Sequence, residues 1–216
     1  MGGGLGALVY IFVEVIPDVG LLRVTFQGFP RRKRIRELQA LILDNPSAGN
    51  YEELADLYFQ EKNYGLARQC YDKAISARTD HADPFYRRAL CAIELSDFAA
   101  AVPDLERVMS FDPKYDYHRA RGLLAHVYAR TGQTEKAQRL FPEVVQISTL
   151  SETQYNYACF LAEQGREAEA RDWAVRILSK KATLPGYLKR KERPWFRKAS
   201  ALLKQVQAVP ARAAGS

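Results

Sequence analysis

From Arg32 onward, apolar side chains recur at helical spacing. Ile35, Leu38, Leu41 and Ile42 fall at i, i+3, i+6 and i+7, so an amphipathic helix is predicted from Arg31 or Arg32 to Asp44. Asn45-Pro46 ends it, because the residue before a proline is pushed out of the α region. Tyr51, Leu54, Ala55 and Tyr58 then form one face of a second helix, and Ala67, Tyr71 and Ala74 one face of a third.

The pattern repeats. Ala67, Ala101, Ala137 and Ala170 are separated by 34, 36 and 33 residues, and each is preceded by a second alanine, namely Ala55, Ala89, Ala125 and Ala158, twelve residues earlier. Four residues after the later alanine comes Tyr71, Leu105, Phe141 or Ala174, and three further on comes Ala74, Val108, Val144 or Ile177. A small residue in each helix removes bulk at the crossing, and the larger side chains fill the space beside it. Turn residues separate the paired helices: Lys62-Asn63-Tyr64-Gly65, Ser96-Asp97, Thr131-Gly132 and Gln164-Gly165, with glycine suited to the left-handed residue that ends a helix. Each pair exposes an apolar face that only a neighbour can cover, so the units should stack. Pro103 and Pro142 fall inside second helices, where a kink or a later helix start is expected.

This spacing resembles the tetratricopeptide repeat family over residues 48–182. The first unit fits the family pattern best. The second has Arg88 and Ala92 where Leu and Tyr are usual, the third has Arg121 at the bulky position and two extra residues ahead of it, and the fourth diverges most. The resemblance implies an all-α fold, a right-handed α-solenoid of about four helix-turn-helix units at 48–81, 82–117, 118–150 and 151–182. Residues 31–45 form the N-terminal helix, residues 183–207 a basic linker and a C-terminal capping helix, and residues 208–216 a frayed tail. Within the cap, Trp195, Ala199, Leu202 and Val206 line one side, and Arg197 and Lys204 lie opposite.

Charge is uneven along the 216 residues. The net charge of +7 arises from +5 in the run RRKRIR at 31–36 and +9 in 180–216, against −1 for residues 1–30 and −6 for the body at 37–179. An acidic body argues against a nucleic-acid groove reader, although the sequence pI of 9.3 alone would suggest one. Residues 1–30 begin with the apolar run Leu5–Val13, which as helix covers about 14 Å of a ~30 Å hydrocarbon core. Glu14, Pro17 and Asp18 make Leu5–Leu22 a poor solitary span, and no basic n-region or A-x-A site marks a secretory signal. The stretch reads as the distal end of a membrane anchor, with Arg31, Arg32, Lys33, Arg34 and Arg36 contacting an anionic surface on the cytoplasmic side. An apolar leader packed on the helical body, or a disordered terminus, is the alternative.

No reaction centre emerges. His81, His118 and His126 belong to different units, and no zinc-protease, nucleophile-elbow, Walker or dinucleotide motif is present. Cys70, Cys91 and Cys159 lie on helices without C-x-x-C spacing and read as small buried hydrophobes. The expectation is therefore a non-enzymatic scaffold, bacterial in style, without cofactor or metal. In the family it resembles, first helices line a concave groove that takes a partner peptide or helix. Carried onto this chain, the groove comprises Glu52, Asp56 and Phe59, then Tyr86, Leu90 and Ile93, then Arg119, His126 and Arg130, then Tyr155, Asn156 and Cys159. Its charge runs from acidic through apolar to basic, suiting a segment of mixed charge. Glu52 and Asp56 replace the Lys and Asn of the family's chaperone-tail clamp. The expected location is the cytoplasmic face of a membrane, or alternatively the soluble cytoplasm. The alternative function is a soluble nucleic-acid-associated repeat using Arg31–Arg36 and Lys189–Lys198 on phosphates.

Overall fold

The computed structural model describes residues 19–77 and 80–213, with side chains placed for 31–77 and 80–207. The apolar run Leu5–Val13 lies outside the described residues, and no helix among those described is long and apolar enough to cross a membrane. Every regular element among them is an α-helix. The chain divides into two compact units, residues 1–78 and 79–216.

The first unit contains α1 (Val19–Asp44), α2 (Ala48–Gln60) and α3 (Tyr64–Ala77). The helix carrying the basic run thus begins at Val19, ahead of Arg31, and ends before Pro46. Of its apolar face, Ile35 and Leu38 are buried but Leu41 stays 42% exposed. Two polar links hold α1 against α2: Arg34 donates Nε and Nη2 to the two carboxylate oxygens of Glu53 at 2.6 and 2.7 Å, and Gln39 Nε2 donates to Tyr58 Oη at 2.9 Å. The guanidinium holds the Glu53 carboxyl below its ordinary range. Ser47 caps α2.

The second unit contains three helical hairpins and a terminal helix: α4 (Asp83–Glu94) with α5 (Phe98–Phe111), α6 (Arg119–Arg130) with α7 (Thr134–Ile147), α8 (Ser151–Glu163) with α9 (Glu167–Thr183), and α10 (Gly186–Ala213). Each hairpin packs on the next through α5 with α6, and through α6 and α7 with α8; α10 covers α8 and α9. The buried face of α10 is Phe196, Ala199, Leu202 and Val206, so Phe196 replaces Trp195 in the core of the cap. Phe196 and Ala199 close the last cluster with Ile177.

The periodic positions account for this packing. All eight alanines, Ala55 and Ala67 through Ala158 and Ala170, are 0% exposed. The larger residues that follow them, Tyr71, Leu105, Phe141, Val108, Val144 and Ile177, are buried as well. Burial of such side chains supplies most of what holds helix pairs together, at about 1.5–3 kcal/mol for each large one. At the same turn of each hairpin the backbone is left-handed: Lys62, Ser96, Gly132 and Gly165 have φ of 59°, 60°, 74° and 73°. The turn geometry is thus common to all four hairpins, but glycine occupies it only in the last two. Gly65 instead lies within α3.

Neither internal proline delays its helix, since α5 starts at Phe98 and α7 at Thr134, well ahead of Pro103 and Pro142. The two extra residues before the third hairpin are absorbed by a left-handed stretch, Asp116, Tyr117 and His118, with φ of 50°, 52° and 67°. Gly122 is the other position where the backbone matters. A Cβ there would stand 2.5 Å from Thr153 Oγ1, so glycine is what lets α6 and α8 approach.

Candidate functional site

Within the second unit, the first helices of the three hairpins and α10 enclose an open cavity of about 470 Å³. Of the residues expected in a groove, Ile93, Arg119, His126, Arg130, Tyr155, Asn156 and Cys159 line it. Glu94, Glu152, Glu163, Trp195 and Lys198 join them. Tyr86 and Leu90 do not line it but are buried on α4, Tyr86 in contact with the lining residue Arg119. In the first unit, Glu52 is partly exposed on α2, Asp56 accepts a hydrogen bond from Tyr71 Oη at 2.5 Å, and Phe59 packs edge-on against Tyr64 at 5.3 Å.

One wall is a fixed polar ladder. Arg119 donates Nε and Nη2 to Glu152 at 2.5 and 3.2 Å and Nη1 to Tyr86 Oη at 3.1 Å; Tyr86 Oη in turn donates to Asp116 Oδ2 at 2.6 Å. Burial works against the Arg119 charge, but the hydrogen bond and charge of Glu152 outweigh it and raise its pKa. Burial, reinforced by Asp116, pushes the Tyr86 phenol up. Arg119 is therefore a neutralised strut rather than a free cation. The ladder has a repeat logic: Arg119 and Glu152 each lie six residues before the small position of their helix, Ala125 and Ala158, so opposite charges meet across consecutive units.

The other wall is aromatic and cationic. His126 meets Phe98 edge-on at 5.7 Å, and Arg130 lies 4.8 Å from the centre of the same ring. Tyr155 and Trp195 pack at 5.8 Å, with Lys198 Nζ 4.4 Å from the Trp195 ring and 5.7 Å from Tyr155. Contacts of this kind stabilise a cation by roughly 0.5–2 kcal/mol and fix where it points. Burial, with the nearby Arg130 and Lys198 charges, lowers the His126 pKa to about 4, so the imidazole is neutral across the physiological range. Burial raises the Cys159 thiol above its ordinary value, leaving it a poor nucleophile. Among the described residues neither Arg130 nor Lys198 has a carboxylate within ion-pair distance, which leaves the positive end of the cavity uncompensated.

Sequence reasoning missed the contribution of α10. Trp195 borders the apolar face of the cap and Lys198 follows three residues later, so both project to one side of that face. That i, i+3 pairing was the available signal. The basic end of the groove is accordingly Arg130 with Lys198. On α1, Arg32, Lys33 and Arg36 are exposed, Arg31 is partly buried, and Arg34 is committed to Glu53. No group of three His, Cys, Asp or Glu among the described residues could hold a metal ion.

Two tetratricopeptide repeat family models match the chain, over residues 48–81 and 92–146. Solved structures share its fold. YrrB, a TPR protein with an unusual peptide-binding site, aligns at 20% identity with a TM-score of 0.60, covering 79% of this chain and 88% of its own. MamA from Desulfovibrio magneticus RS-1 aligns at 15% identity with a TM-score of 0.66, covering 77% and 94%. PilW, a widely conserved type IV pilus biogenesis factor, aligns at 16% identity with a TM-score of 0.60, covering 88% and 90%. No curated protein sequence matches.

Proposed function

We propose that this chain, a tetratricopeptide repeat protein over residues 48–81 and 92–146, is a non-enzymatic scaffold that holds a partner peptide in the cavity between α4, α6, α8 and α10. The observation that carries the reading is the pairing of rigid aromatic walls, Tyr155 and Trp195, with two uncompensated cations, Arg130 and Lys198. Aromatic side chains offer contact area at little entropic cost, and the cations select acidic positions of the bound segment. Glu94 and Glu163 at the rim suit basic positions, so a peptide of mixed charge fits. A peptide-binding site in the similarly folded YrrB supports the same use. Co-purification from cells with Arg130→Glu/Lys198→Glu should recover the wild-type partner at least ~10-fold less efficiently, as expected when two cations that face acidic positions of the bound segment are reversed in sign. Unchanged recovery would refute the assignment.

The scaffold is further proposed to work at the cytoplasmic face of a membrane. Exposure of Arg32, Lys33 and Arg36 on α1 supports this, since each cation near an anionic leaflet contributes about 1 kcal/mol. Charge reversal at these three positions should shift the protein from the membrane pellet to the supernatant. Unchanged pelleting would refute the role of these cations, and wild-type protein found in the supernatant would favour the soluble alternative.

A further inference from the structure

A second cleft, of about 580 Å³, opens between α9 and α10 and shares no lining residue with the cavity above. Helix α10 is thus two-sided: Trp195 and Lys198 turn to the cavity, while Lys189, Arg190, Arg193 and Arg197 turn to the cleft, where Lys181 of α9 joins them. The floor is apolar, formed by Leu178 and the buried Phe196. Among the described residues none of these five cations has a carboxylate partner within ion-pair distance. The one acid of α10, Glu192, acts instead on Lys180, which it stabilises electrostatically against burial.

Five like charges around one cleft repel one another, and an anionic occupant relieves that repulsion. Three features define the occupant. From Lys189 to Arg197 the cations spread over about 12 Å of helix, too far to converge on one small ion but matched to several acids along a segment. The cleft's floor is apolar, which neither the headgroups of a bilayer nor the phosphates of a duplex complement. Its one aromatic, Phe196, is 6% exposed, too little for the ring stacking that single-stranded nucleic acid uses, so the accessible apolar contact falls mainly to the half-buried Leu178 packed against it. An aliphatic or aromatic side chain flanked by acids satisfies floor and rim together. We propose that the α9–α10 cleft is a second docking site, for an acidic peptide segment anchored by a bulky apolar side chain. The protein would then hold two segments at once, one on each side of α10.

Fluorescence anisotropy of the full chain with a labelled peptide, a central Leu-Phe pair flanked on each side by three glutamates, tests this directly. Binding is expected, weakening with added salt. Arg193→Glu/Arg197→Glu should weaken it by roughly tenfold or more and Arg193→Gln/Arg197→Gln by a smaller factor, with helical circular dichroism unchanged. The cavity variant Arg130→Glu should leave it within about twofold, which separates this site from the groove of the proposed function. A control peptide with Ser-Gly in place of Leu-Phe should bind several-fold more weakly. The proposal is overturned by any of four results: no binding of the acidic peptide; equal loss with Arg130→Glu; equal binding of the Ser-Gly peptide; or tighter binding, through the same arginines, of phosphatidylserine vesicles or an oligothymidylate.

Discussion

Replacing Phe141 by alanine is expected to destabilise the second unit by about 3–5 kcal/mol, the range for truncating a fully buried aromatic. Phe141 is 0% exposed on α7 and spans the gap to α8, with ring centres 5.3 Å from Tyr157 and 5.4 Å from Phe160. In a repeat array each unit is stabilised mainly by its neighbour, so a hole at the α7–α8 boundary weakens an interface rather than one helix. The consequence reaches the cavity, because α8 carries Glu152, Tyr155 and Asn156. Urea unfolding should show a fall in midpoint, and recovery of a cavity-bound partner should fall with it. Leu43→Ala is the control: Leu43 is 86% exposed, and its truncation should change stability by less than about 0.5 kcal/mol. Equal shifts for the two variants would mean that Phe141 does not bridge the helices.

The repeat was legible because its signal is steric. A small residue is required wherever two helices cross closely, and Ala55, Ala89, Ala125 and Ala158 recur for that reason, as their complete burial shows. The left-handed turns were only half legible: glycine announced them at Gly132 and Gly165, but Lys62 and Ser96 adopt the same conformation without it, closed by the backbone bonds from Asn63 N–H to Tyr58 and from Asp97 N–H to Ala92. The site was less legible still. Individual groove positions such as His126 and Arg130 follow from the face of α6, whereas partnership does not: nothing local to Arg119 says that Glu152, one repeat away, cancels its charge. Trp195 and Lys198 were hidden for a related reason. A capping helix is recognised by its apolar stripe, and these two lie at the edge of the stripe, where the helix turns from core to cavity.

Arg88→Leu, which restores the residue usual in such repeats, should destabilise rather than stabilise the protein, by about 3 kcal/mol. Arg88 on α4 donates Nε and Nη2 to the carboxylate of Asp104 on α5 at 2.8 and 2.6 Å. The side chains are 24% and 5% exposed, so Asp104 is much the more deeply placed of the two. Removing the guanidinium strands an acceptor that cannot turn to water, and leucine offers it nothing. The departure from the repeat pattern at one helix is therefore compensated at its partner, where the buried Asp104 stands beside Leu105. Arg88→Leu/Asp104→Leu should recover most of the loss and finish within about 1 kcal/mol of wild type, because an apolar pair of similar volume needs no partner. A double-mutant cycle by urea unfolding should then give a coupling of at least about 2 kcal/mol. Additive single losses would show that the two side chains do not act as a unit, and that the arginine at this position belongs to the surface instead of to the hairpin core.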